Sequence, residues 1–143
     1  MFFLGAAEGV AAKAARRLSH RYKGLQVVGT YSPPFGFEKD QTELRKIEKK
    51  IKEVKPDILI VGLGCPKQEK FMYHYCEMLD VPVSLGLGAS LDFEAGNVKR
   101  APRWMANHGL EWLFRITQDP KRMAKRYLVD DRKILGLAFK YRR

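Results

Sequence analysis

The chain has 143 residues, 45% hydrophobic and 30% charged, with a formal net charge of +11. That suffices for one domain with a real core, while no apolar run reaches the roughly 18 residues of a membrane-spanning helix. Two cysteines, Cys65 and Cys76, are too few for a disulfide framework and suit a reducing cytosol, and the opening MFFLGAAEGV lacks the basic and long apolar regions of a signal peptide.

MFFL reads as a short buried strand that Gly5 ends. GVAAKAARRLSHRY is rich in helix formers, with Val10, Ala14 and Leu18 at helical spacing, and Gly24 stops it. LQVVG, residues 25–29, is the second expected strand. TYSPPFGF is expected to be a loop, because paired prolines suit neither a helix nor a strand interior. Residues 38–55 predict an amphipathic helix with Leu44, Ile47, Ile51 and Val54 on one stripe, ended by Pro56. DILIVG is an unbroken apolar run of the kind covered on both faces of a sheet. Pro66 opens a helix to about Leu79, and VPVSLGLG is the fourth strand. The order β-α-β-α-β-α-β with short connections predicts an α/β fold over residues 1–98, a Rossmann-like parallel sheet with flanking helices. Past Asp92 the pattern becomes loop and then short helices, with Pro102 and Pro120 at first-turn positions. Residues 99–143 are expected to form a basic helical C-terminal appendage.

Charge is unevenly placed. Residues 99–143 hold 13 Lys/Arg against 4 Asp/Glu, whereas residues 1–98 hold 14 against 12. A near-neutral body with a basic end seeks an anionic partner: phospholipid head groups, nucleic acid or a phosphorylated substrate. The basic end interleaves Trp104, Trp112, Phe114, Tyr127, Phe139 and Tyr141, a mixture suited to an anionic membrane surface. Trp104 and Trp112 themselves read as packed beneath the charged face. Neither a helix-turn-helix pattern nor a stacking platform is evident, so a nucleic-acid-binding module is the weaker alternative and no nucleic-acid partner is expected.

In a parallel α/β sheet, ligands sit outside the carboxyl ends of the strands. Those ends carry Gly5, then Gly29-Thr30-Tyr31, then GLGCPKQE, then GLGASLDFEAG. Glycines let backbone amides approach a ligand, and a helix N-terminus favours an anion, so a phosphate-bearing ligand fits. GLGCPK is not a P-loop, and GLGCPKQ lacks the third glycine of a dinucleotide fingerprint, which argues against ATP and nicotinamide sites. Gln68 reads either as a ligand-facing amide in the first helical turn or as a solvated residue there. Glu69 reads as a capping residue on the helix dipole or a site residue. Asp92 reads as a carboxylate for sugar hydroxyls or proton transfer, or as a loop cap. Cys65 and His74 have no third orienting group, so a thiol nucleophile is not favoured. His20, His74 and His108 lack metal-ligand spacing, and no metal or cofactor is expected.

Four stretches, FFLGAAEGVAAKAARRL, VVGTYSPPFGF, PDILIVGLGCPKQEKF and LGLGASLDFEAGNVKRAPRWMANHGLEWLFRITQDPKR, together resemble the bacterial WecG/TagA/CpsF glycosyltransferases over nearly the whole chain. The resemblance implies transfer of an N-acetylmannosamine-type sugar from a UDP donor to a polyprenyl-diphosphate-linked acceptor, for wall teichoic acid, common antigen or capsule. It implies a cytoplasmic location, peripheral at the inner face of the membrane. Gln68 and Asp92 match motif residues associated with activity. Gly62, Gly64, Pro66 and Gly88 match the region lining the nucleotide-sugar pocket, to which Gly5 and Glu69 are added from their place at strand ends. Arg115, Arg122 and a basic residue at Lys125 or Arg126 match an appendage expected to meet the acceptor, its phosphates and the membrane. Family members also carry an N-terminal half with the expected catalytic base. The chain therefore reads as similar to the C-terminal half, with that other half possible on another chain, or as a non-catalytic fragment.

Overall fold

The structure, a computed structural model, describes residues 1–120. Contacts divide the chain into two units, Met1–Val98 and a second that begins at Lys99.

In the first unit, β1 (Phe2–Gly5), β2 (Gly29–Tyr31), β3 (Ile58–Gly62) and β4 (Val83–Gly86) form a parallel sheet in the order β2-β1-β3-β4. The helices between them are α1 (Val10–Arg21), α2 (Gln41–Val54) and α3 (Lys67–Leu79), and α4 (Ser90–Ala95) follows β4. This is an α/β, Rossmann-like architecture. Crossovers between parallel strands are right-handed, so reversing direction along the sheet moves the helix to the other face. The chain steps from β1 to β2 one way and from β2 past β1 to β3 the other way. Accordingly α1 lies on one face, and α2 and α3 lie on the opposite one.

Strand alternation fills both layers. Phe2 and Leu4 of β1, with Leu59 and Val61 of β3, bury against Leu44, Ile47 and Ile51 of α2 and Phe71 and Leu79 of α3. Phe3 and Ile60 point the other way, against Val10, Ala11 and Ala14 of α1 and Leu91 and Ala95 of α4. The two central strands are apolar at every position because both faces are covered. β4 is an edge strand whose Gly86 lies against α3, while Val83 and Leu85, and Leu87 just beyond, are 41–44% exposed.

Three expectations are corrected. The second strand occupies Gly29–Tyr31 rather than residues 25–29, because its register pairs Phe2 with Gly29. Below that pair, among the described residues, the Val28 N–H donates to the Met1 carbonyl and the Met1 ammonium to the Gln26 carbonyl, outside the ladder. The second helix begins at Gln41, since Asp40 caps it by accepting from the Thr42 and Glu43 amides. Phe37–Lys39 form a separate 3-10 turn. Asp92 lies in the first turn of α4, where the sequence suggested a loop.

In the second unit, α5 (Arg103–Asn107) and α6 (Glu111–Gln118) are short, and Pro102 stands at the N-cap of α5. The Gln118 side chain donates to the Lys99 carbonyl and accepts from the Lys99 amide, both at 2.9 Å, closing the segment on itself. Trp104 is 61% exposed and Trp112 47% exposed, so neither is packed away as its aromatic bulk suggested. No helix among the described residues is long and apolar enough to cross a membrane.

Candidate active site at the carboxyl edge of the sheet

Strand order reverses between β1 and β3, and a crevice for ligands is expected outside their carboxyl ends. The loops there are tied to one another. The Ala6 amide donates to the Gly62 carbonyl at 2.8 Å, and the Ser32 hydroxyl reaches the Gly5 and Ala7 carbonyls at 3.1 and 3.2 Å. Ala6 has φ 59°, a left-handed conformation that costs about 1 kcal/mol without a glycine.

Gln68 is the centre of the arrangement. Its first-turn place on α3 would leave a residue solvated, yet it is only 7% exposed. The Gly88 amide donates to its Oε1 at 3.0 Å, and its Nε2 donates to Glu69 Oε1 at 2.9 Å. The side chain therefore joins the loop after β3 to the loop after β4. Gly86 makes room for it: a Cβ there would stand 3.1 Å from Gln68 Nε2 and 2.8 Å from Met72 Cε. Gly86 thus packs against Gln68 in the candidate site, a contact that sequence reasoning missed although the GLG repeat in VSLGLG signals it.

The other expected residues fall into distinct places. Gly62 packs under Leu91 of α4, so its lack of a side chain brings α4 close to β3. Gly64 and Pro66 form the turn into α3, where the Gln68 amide donates to the Gly64 carbonyl at 2.9 Å. Gly88 stands within 3.7 Å of Gln68 Oε1, measured from where a Cβ would be. Gly5 approaches the Gly62 backbone rather than open space. Leu91 anchors α4 in the core, and Asp92 beside it is half-buried. Arg115 belongs to the second unit, where its Nη2 donates to Glu111 Oε1 at 3.0 Å one helical turn away. Arg122, Lys125 and Arg126 lie outside the described residues.

Helix ends supply the site's electrostatics. Among the described residues no side chain caps the N-termini of α1, α3 and α4, whereas Asp40 caps α2. Uncapped N–H groups at helix starts favour an anion. Beside α3, Lys67 forms an ion pair with Glu38 and places its ammonium 4.5 Å from the centre of the Phe35 ring, which is 98% exposed. The SPPF loop is thereby held to the start of α3. Hydrogen bonding from Lys67, then from backbone, holds the Glu38 carboxyl below the ordinary glutamate range. A group with a depressed folded pKa stabilises the fold above its ordinary range and loses that contribution as pH falls through its folded value. Lys67→Met is thus expected to raise the Glu38 pKa toward its ordinary value in an NMR titration. An unmoved titration would show that Lys67 does not set it. Among the described residues, no group of three or more His, Cys, Asp or Glu is placed to hold a metal ion.

Comparison with known proteins places the chain among glycosyltransferases. The sequence profile of the glycosyl transferase WecG/TagA/CpsF family matches residues 1–143. An N-acetylglucosaminyldiphosphoundecaprenol N-acetyl-beta-D-mannosaminyltransferase of Bacillus subtilis (strain 168) is 38% identical over 122 residues, 85% of this chain and 45% of the relative. The protein of that name from Bacillus spizizenii is 39% identical over the same shares. That from Staphylococcus aureus (strain MW2) is 33% identical over 87% of this chain and 47% of its own length. The chain spans about half the length of the curated relatives it matches. With the profile covering every residue, and with relatives above 30% identity over most of the chain, the chain belongs to the glycosyl transferase WecG/TagA/CpsF family.

Proposed function

We propose that this chain is the donor-binding part of a glycosyltransferase that moves an N-acetylmannosamine-type sugar from UDP to a polyprenyl-diphosphate-linked acceptor. The observation that carries the reading is the Gln68 clamp. One buried amide side chain joins two glycine loops at the carboxyl edge, beside helix starts left uncapped for an anion. The names of the relatives support the acceptor class and the sugar.

In the reaction, an acceptor hydroxyl attacks the anomeric carbon as the bond to the diphosphate oxygen breaks. UDP leaves with the bond's electron pair, and the hydroxyl proton passes to a base expected in the remainder of the family's enzyme. N–H groups at the starts of α1 and α3 would meet the departing diphosphate, where preorganised donors act on charge as it develops. Asp92 would accept hydrogen bonds from the donor sugar. Arg115, with Arg122 and Arg126, would bind acceptor phosphate, and the basic residues 99–143 would approach an anionic membrane surface at the cytoplasmic face. On this reading the chain comprises a nucleotide-sugar-binding domain, 1–98, and a basic appendage, 99–143.

The test is sugar transfer to a short-chain polyprenyl-diphosphate N-acetylglucosamine, with the remainder of a relative supplied. Asp92→Ala is expected to lower the rate by about 10- to 100-fold, the loss of a hydrogen bond to a charged group, with UDP affinity changed less than about twofold. Full activity of Asp92→Ala would sink its assignment. Binding of DNA or RNA by gel shift, without sedimentation on anionic liposomes, would favour a nucleic-acid role instead.

A further inference from the structure

Three basic residues on α1 grip one end of the helix that carries Asp92. Lys13, Arg17 and Arg21 are spaced one turn apart on a single face. Lys13 Nζ donates to Asn97 Oδ1 at 2.9 Å, Arg17 Nη1 donates to the Ala95 carbonyl at 3.3 Å, and Arg21 Nη1 pairs with Glu94 Oε2 at 3.1 Å. All three contacts fall on the last turn of α4 and the residues just after it. The fit is close at Gly96, where a Cβ would collide with the Arg17 guanidinium.

That turn closes on Asp92 itself. The Asp92 carbonyl accepts from the amides of Gly96, Asn97 and Val98. At the other end of α4, the Gly88 amide is held by Gln68. The helix is thus pinned at both ends, and α1 sets one of them.

We propose that Lys13, Arg17 and Arg21 are positioning residues, which fix α4 so that the Asp92 carboxylate stands where the donor sugar binds. This rests on the reading of Asp92 as the donor-sugar carboxylate. Magnitudes separate positioning from plain stabilisation. Lys13, Arg17 and Arg21 are exposed residues whose contacts, part-buried at Ala95 and exposed at Asn97 and Glu94, lie at the surface, where polar contacts add little stability. The apolar seam of Val10, Ala11, Ala14, Leu91 and Ala95 keeps α4 docked without them. A shift of about 1 Å at a reacting group, by contrast, can cost on the order of 100-fold in function.

The experiment compares UDP with UDP-N-acetylmannosamine by calorimetry on the whole chain, native and as Arg17→Met, Arg17→Lys and Asp92→Asn. The native chain is expected to bind the sugar nucleotide more tightly than UDP. Arg17→Met should lose most of that preference, about tenfold, while its UDP affinity and melting temperature stay close to native. Arg17→Lys, which keeps a donor and a charge, should recover it in part. A preference lost in Asp92→Asn but intact in Arg17→Met overturns the positioning role alone. A preference absent from the native chain, or unchanged in Asp92→Asn, overturns the reading of Asp92 and this inference with it. Equal weakening of UDP and UDP-sugar binding in Arg17→Met, with a lower melting temperature, shows a structural role and likewise overturns it.

Discussion

Gln68→Ala is expected to abolish measurable donor binding while leaving a folded, less stable chain. The truncation removes the acceptor of the Gly88 amide and the donor to Glu69, and opens a space beside Gly86 and Met72. An unpaired part-buried amide costs about 1–3 kcal/mol, which lowers the melting temperature by about 4 °C at the least and about 20 °C at the most for a domain of this size class. The functional loss should be larger than the stability loss. With the clamp gone, Gly88, at φ +51°, has nothing to hold its amide in place, and the two glycine loops no longer share a fixed frame.

Gln68→Glu separates the two roles. A glutamate keeps an oxygen where the Gly88 amide donates, so the loops should stay joined and the melting temperature should fall less. It replaces the donor to Glu69 with a second negative charge, at a helix start read as an anion site. Like charges that close are strongly unfavourable, and a bound diphosphate would add to them. UDP affinity is therefore expected to fall at least tenfold in Gln68→Glu with the fold intact, measured by calorimetry beside thermal denaturation. Native UDP affinity in both variants would remove Gln68 from the site.

The contrast between Gln68 and the strands shows what the sequence makes legible. Strands β1 and β3 announce themselves because burial on both faces leaves an unbroken apolar signal, and the stripe of Leu44, Ile47 and Ile51 follows from helical period alone. β2 starts later than its apolar run because an edge strand is defined by its partner's register, and residues 25–28, apolar as a strand would be, meet Met1 just before β1 and lie outside the ladder. The short helix around Asp92 spans too few residues for a period to show, although Gly96 at its end is a stop signal. Gln68 and Asp92 stood out by motif. Their environment did not, because it is made by contacts across the chain: Gly88 lies 20 residues from Gln68, and Arg17 lies 78 from Ala95. Charge counts likewise gave residues 1–98 a near-neutral average that concealed the basic row on α1.

Gly5→Ala is expected to be the most destabilising single substitution considered, and it tests what the glycine at the end of β1 is for. Gly5 pairs with Gly62 in the β1–β3 ladder at the middle of the sheet. A Cβ on it would stand 2.6 Å from both the carbonyl carbon and oxygen of Gly62 and 3.1 Å from Leu63 Cδ2. Backbone atoms in a central ladder cannot swing aside as a flexible side chain can, so the strands must part, and the Ala6 amide contact to Gly62 would go with them. Gly5 also has φ +108°, well outside the conformations an alanine adopts cheaply. Collision and strain together place the cost at about 4 kcal/mol or more, a large share of the 5–15 kcal/mol typical of a domain. Gly9→Ala is the control: its φ is +77°, yet a Cβ there meets nothing within 4 Å, so only the left-handed backbone cost applies, about 1–2 kcal/mol. Urea denaturation followed by circular dichroism should rank Gly5→Ala far below Gly9→Ala. Equal stability of the two would mean that β1 and β3 do not approach as closely as the structure places them. It would return Gly5 to the role its sequence position suggested, a glycine kept bare for a ligand rather than for a neighbouring strand.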